Sequence, residues 1–156
     1  MGISRVVQQV CEQSGIDFDL LAHPHTPSSQ RTAQSAHVPG DRLAKAVVLD
    51  DEWGHVMAVV PATHQVDTGV LNALMGRDLY LTPEHELADL FDDCALGAIP
   101  PFGSAYRVLT VTDISILRQP EVYFEAGDHE HLVHVRGSDF RRLMESTGQG
   151  WFSYHG

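Results

Sequence analysis

The chain contains one lysine, Lys45, set in the run Leu43-Ala44-Lys45-Ala46-Val47-Val48-Leu49, and the other nine of its ten basic residues are arginines. Strand alternation puts Lys45 on the face of Leu43, Val47 and Leu49. An ammonium in an apolar stripe is costly unless it reaches an anion or water. Lys45 is then either a snorkelling or edge-strand lysine with its head in solvent, or a lysine projecting into a pocket to meet a phosphate or a carbonyl oxygen.

A second feature is Gly97-Ala98-Ile99-Pro100-Pro101-Phe102-Gly103. Adjacent prolines lack amide hydrogens and the flanking glycines permit unusual dihedrals, so this is a rigid, non-repetitive loop. Gly97, Ala98 and Ile99 keep their amide hydrogens. They form either a stiffened arc of donors facing a ligand or a developing oxyanion, or a plain surface turn. No GxGxxG or GxxxxGK pattern accompanies them, so nucleotide hydrolysis loses support.

The third feature is Gly127-Asp128-His129-Glu130-His131, in a chain with ten histidines. On a strand His129 and His131 share one face, and His23, His25 or His134 could complete a metal set. Without an HExxH or an ordered carboxylate pattern, ordinary turn and surface histidines are the competing reading. Cys94 could act as a nucleophile only with a histidine folded against it; a buried cysteine at a helix end is the simpler reading.

The elements that must position these residues follow from periodicity and punctuation. Ile3, Val6, Val7, Val10 and Cys11 predict a helix over 3–14, stopped at Gly15. A short strand at 18–21, a loop at 23–29 and a helix over about 30–37 come next. Residues 42–49 and 55–60 predict a hairpin. Asp67 caps a short helix through Val70, Leu71 and Leu74, 79–81 is a strand, and Thr82-Pro83 starts a helix carrying Leu87, Leu90 and Phe91. Strands are expected at 106–111, 122–125 and 131–135, then a last helix capped by Ser138 and a frayed tail over 148–156. Short strands and helices without long crossovers predict an α+β fold, a mixed sheet in a single domain.

A chain of 156 residues that is 43% apolar can bury roughly 70% of its unfolded surface in one core. Two unpaired cysteines, Cys11 and Cys94, and the lack of a run of ~18 apolar residues point to a reducing, cytoplasmic compartment and no membrane partner. The net charge of -11 argues against coating nucleic acid by charge alone.

Taken in order, Arg31-Thr32-Ala33, the Leu43 to Leu49 run, the Gly97 to Gly103 loop and Phe124-Glu125-Ala126-Gly127-Asp128-His129-Glu130 resemble the YbaK/ProXp family. These are free-standing relatives of the editing insertion domain of bacterial prolyl-tRNA synthetase. The resemblance covers about residues 15–146, leaving 147–156 as a tail. It implies a mixed, barrel-like β-sheet with peripheral helices, and trans-editing hydrolysis of mischarged aminoacyl-tRNA. Lys45 stands at the family's essential lysine and Gly97, Ala98, Ile99 and Pro101 at its GxxxP loop. His129, with Gly127, Asp128, Phe102 and Gly103, stands at substrate-binding positions. In such a site lysine holds the terminal phosphate or the ester, loop amides polarise the carbonyl, and the substrate's ribose hydroxyl assists, with no cofactor and no metal.

Ala-tRNA(Pro) is the expected substrate, with Cys, Ser or Thr esters open. The tRNA 3′ acceptor end is the expected partner, aided by an aminoacyl-tRNA synthetase, with no DNA. Arg107, Arg136, Arg141 and Arg142 are candidate outer contacts. Lys45 and the Gly97 to Pro101 loop should line one concavity, no more than about 10 Å apart. A non-catalytic aminoacyl-tRNA or small-ligand binding module and a histidine-rich metal-binding protein are the alternatives.

Overall fold

In the computed structural model, which describes residues 2–156, Ser4 Oγ accepts from the Val6 and Val7 amides and starts helix α1 (Arg5–Ser14). Gly15, at φ 65, ends it. Strand β1 (Asp19–Ala22) and helix α2 (Ser29–Ser35), capped by Ser28, follow. Strands β2 (Leu43–Asp51) and β3 (Gly54–Pro61) form the expected hairpin. Then come β4 (His64–Val66), α3 (Thr68–Met75) capped by Asp67, β5 (Tyr80–Leu81) and α4 (Glu84–Leu90), which begins after Pro83. The second half holds β6 (Leu109–Asp113), α5 (Ile114–Leu117), β7 (Glu121–Glu125), β8 (His131–Arg136), α6 (Gly137–Leu143), β9 (Gly148–Gly150) and β10 (Ser153–His155).

The main sheet is mixed and runs β1-β8-β7-β2-β3-β6-β9, with β5 also paired to β2, while β4 and β10 form a separate pair. Parallel pairing joins β2 to β7, β3 to β6 and β6 to β9, and the other ladders are antiparallel. This confirms the mixed α+β architecture. One edge of β2 changes partner along its length, with Leu43 and Ala44 opposite β7 and Leu49 and Asp50 opposite β5. The sheet therefore opens beside Lys45, between those two ladders.

β3 is buried almost throughout because both of its faces carry core. Met57 and Val59 pack with Val7, Cys11, Phe91, Phe124 and Phe140, whereas Val56, Ala58 and Val60 pack with Leu49, Leu71, Val111 and Phe152. Such two-sided burial produces a continuous apolar run rather than an alternating one. No helix among the described residues is long and apolar enough to cross a membrane.

Three local expectations are corrected, and one element was not anticipated. The strand expected from 106 starts at Leu109, because Gly103–Tyr106 is a 3-10 turn and Arg107 takes a left-handed φ of 62. Ser138 lies inside α6, whose capping position is Arg136. The four-residue α5, capped by Asp113, carries too short a pattern to read. The tail is not frayed: β9 pairs with β6, β10 pairs with β4, and the Phe152 amide donates to Asp113 Oδ1 at 2.7 Å. Glycine-rich composition hid a segment anchored by one buried aromatic. Phe152→Ala should destabilise the fold by about 3–5 kcal/mol, read as a lower denaturant midpoint in urea unfolding.

Candidate active site

Lys45 is half-buried on β2, where it pairs with Val60 of β3. Burial lowers its pKa and no carboxylate counters that shift. Two concavities meet at this side chain. One, of about 170 Å³, is lined by Leu43, Ala46, Leu87, Leu96, Gly97 and Ile99, with Ser29, Glu84 and Glu125 as its polar members. The other, of about 260 Å³, is polar and presents Ser28, Ser29, Gln30, Thr63, His64 and Gln65.

The loop after α4 closes the smaller chamber. Its backbone is tied to the β7–β8 turn by the Ala95 amide donating to Gly127 O at 2.7 Å. Gly97 has φ 80, a conformation that glycine adopts without strain. The Gly97 and Ile99 amides make no hydrogen bond among the described residues, whereas the Ala98 amide donates to Ala95 O at 3.1 Å. Gly97 and Ile99 can therefore point donors at a substrate. Ala98 is spent on the turn and is fully buried, which corrects its expected role as a donor.

Behind Gly97 lies the His129 ring. A Cβ built on Gly97 would sit 3.5 Å from His129 Nε2. His129 has φ 57 and is 4% exposed, and its Nε2–H donates to Thr26 O at 2.9 Å. Asp128 shapes this turn: it accepts from the Glu130 and His131 amides and pairs with His131 Nδ1 at 2.6 Å. Gly127, at φ 97, lets Ser4 pack against its backbone. Glu125 is buried at the end of β7, where burial, with the Asp128 charge behind it, pushes its carboxyl up to about 8.

Residues 23–143 match the family model of the aminoacyl-tRNA editing domain, most of the chain. The chain belongs to the aminoacyl-tRNA editing domain family. It is 26% identical over 140 residues to the multifunctional Ser/Thr-tRNA deacylase ProXp-y of Escherichia coli (strain K12), covering 85% of this chain and 83% of that protein. A crystal structure of a candidate trans-editing enzyme for prolyl tRNA synthetase superposes with TM-score 0.80 at 22% identity, over 99% of this chain and 100% of that one. That of a hypothetical protein superposes with TM-score 0.83 at 19% identity, over 95% and 99%. These two likenesses are of fold.

The editing domain thus brings Lys45, Gly97 and Ile99 onto one chamber, and His129 supports that chamber from behind. Other expected residues sit elsewhere. Pro101 is buried under the loop, Phe102 packs edge-on against Phe124 at 5.1 Å, and Gly103 is buried against Thr110 and Met57, so none of the three lines the chamber. Asp128 and Gly127 serve the turn. Arg107, Arg136, Arg141 and Arg142 line neither concavity; Arg141 donates to Leu117 O and Arg142 to Ser14 O. Cys94 is bonded to Asp93 and Tyr106, and burial pushes its thiol up to about 12, far from a nucleophile.

Sequence reasoning missed Ser29, Glu84, Glu125 and the polar groove. Ser29 and Glu84 open α2 and α4, where they read only as ordinary first-turn residues.

Proposed function

We propose that this editing domain acts in trans on tRNA carrying a small amino acid, with alanyl-tRNA(Pro) its principal substrate and seryl, threonyl and cysteinyl esters its near competitors. The observation that carries this reading is the place of Lys45, on the ridge between a small chamber with aliphatic and acidic walls and a polar groove. The chamber takes the amino-acid side chain, and the groove takes the terminal ribose and phosphate through hydroxyl, amide and imidazole groups. Lys45 bridges them and contacts the phosphate or the ester oxygen. The Gly97 and Ile99 amides receive the carbonyl oxygen as it gains charge. Water, assisted by the neighbouring ribose hydroxyl of the substrate, adds to the carbonyl carbon, and the bond to the ribose oxygen breaks to release free amino acid and intact tRNA. An aminoacyl ester is already activated, so positioning and charge stabilisation suffice without a protein nucleophile.

His129 acts on selectivity through Gly97. Removing the ring gives the loop room to retreat, which deepens the chamber. His129→Ala should raise hydrolysis of bulkier esters relative to alanyl ester by about 10–200-fold, the range that one methyl or hydroxyl is worth in a shape-based pocket, while alanyl turnover survives. Competition between paired mischarged tRNAs measures this ratio. A panel of alanyl, seryl, threonyl and cysteinyl tRNAs tests the proposal as a whole. Alanyl-tRNA(Pro) should be cleaved fastest; if all four esters stay intact while the 3′ end still binds, the chain is a non-catalytic binding module.

A further inference from the structure

His23, Glu125 and His129 converge in the interior, 102 residues of sequence separating His23 from Glu125. His23 Nδ1 faces Pro24 O at 2.8 Å and His129 Nε2 faces Thr26 O at 2.9 Å. A carbonyl only accepts, so both of these ring nitrogens carry the hydrogen. In the neutral rings the other two, His23 Nε2 and His129 Nδ1, therefore turn lone pairs inward, toward a carboxylate that is itself an acceptor. His23 Nε2 lies 3.3 Å and His129 Nδ1 3.5 Å from Glu125 Oε1. His129 Nδ1 is buried without a hydrogen-bond partner among the described residues. Three acceptors thus meet with a deficit of hydrogens, and a single proton among them leaves one ring unsatisfied.

We propose that His23, Glu125 and His129 form a binding site for one divalent transition-metal ion of the zinc class. The spacing favours a cation over a proton. Charge-assisted N–H···O bonds close to about 2.7–2.9 Å, shorter than either contact. Tetrahedral ligands at about 2.0–2.2 Å from zinc stand about 3.3–3.5 Å apart, the separation of each ring nitrogen from Glu125 Oε1, and all three ligand atoms lie within 4.8 Å of one another. Two imidazoles and one carboxylate are a zinc donor set, and each ring already donates its outer N–H to a backbone carbonyl, the arrangement that orients metal-bound histidines. The ion would join the loop at 23–26 to the β7–β8 turn and fix the His129 ring behind Gly97.

This set differs from the one strand alternation suggested. His129 is in a left-handed turn, not on a strand, so His131 points away to Asp128, and His134 lies between Asp19 and Glu121.

The test uses the full chain purified without a histidine tag, stripped by chelation, and titrated with Zn²⁺ against a chromophoric chelator and with Co²⁺ by visible absorption. One equivalent per chain, the intense bands of tetrahedral cobalt and a melting temperature that rises with Zn²⁺ are expected. Glu125→Gln and His23→Asn should each weaken Zn²⁺ binding by at least ~100-fold, the upper end of what losing an outer-shell partner costs. His55→Asn, which breaks the half-exposed Asp50, His55 and Glu86 group, should leave binding unchanged. Binding that survives Glu125→Gln and His23→Asn, or that His55→Asn removes, overturns the assignment. If either interior variant fails to fold, the wild-type cobalt spectrum decides: substoichiometric uptake or a pale octahedral spectrum overturns it. None of these readouts involves tRNA, so the site stands or falls separately from the editing reaction.

Discussion

Gly97→Val should slow hydrolysis of mischarged tRNA by at least ~10²-fold, the cost of losing one oxyanion donor, about 2.7–4 kcal/mol. The reason is conformational. At φ 80 a β-branched residue is a genuine outlier, and the loop can relieve the strain only by turning the Gly97 peptide, which moves its amide and that of Ile99 away from the carbonyl. Crowding against the protein is not the cause, since a Cβ here meets His129 at an ordinary 3.5 Å. Gly97→Asn separates the two effects, because asparagine tolerates left-handed backbone while adding a side chain of similar bulk. Single-turnover rates should therefore fall steeply for Val and modestly for Asn, with both variants binding uncharged tRNA ends as the wild type does. Equal, near-wild-type rates for both would remove the loop amides from the reaction.

Lys45 and the Gly97 loop were legible in the sequence because their chemistry is local. A lysine in an apolar run and two prolines beside free amides announce a constraint without a partner. His129 was found through resemblance, yet its geometry was not, since HxH on a presumed strand points both rings one way, whereas a left-handed φ at His129 turns them apart. Glu125 was given no role of its own within the Phe124 to Glu130 run, and His23 was offered only as one of three histidines that could complete a set with His129 and His131. Each follows ordinary local grammar, one ending a strand and one opening a loop before Pro24, and their meeting depends on β1 and β7 both pairing with β8. The tail misled for the complementary reason: its short strands exist only because β6 and β4 offer edges, and Phe152 has a hole to fill. The elements with local punctuation, α1 stopped at Gly15 and α3 capped by Asp67, were placed to within two residues because a cap or a stop is written in adjacent residues.

Lys45→Ala should lose at least ~10-fold in deacylation, since a charge-assisted contact to phosphate or carbonyl is worth about 1.5–3 kcal/mol. Lys45→Arg should not restore the rate, because a wide planar fork replaces a compact ammonium on the ridge between two small concavities. Salt dependence of tRNA-end binding should shallow by about 0.7 in log–log slope for one lost phosphate contact. Stability should move the other way. Burial holds the folded pKa of Lys45 below the ordinary 10.5, so the unfolded chain binds the proton more tightly than the native one. Stability contributed at this site is then lowest at neutral pH and rises as pH climbs from the depressed folded value toward 10.5. Glu84 and Glu125 line the same chamber and His64 the groove; burial, and in smaller part the Lys45 charge, holds the His64 pKa below its ordinary 6.5, so His64 is neutral in wild type and variant alike across the alkaline window and the difference between their unfolding curves there reports on Lys45. Wild type should gain stability relative to Lys45→Ala across that alkaline window while its deacylation falls as the ammonium is lost. A lysine that merely snorkels into solvent would show neither the loss of rate nor the opposed pH trends.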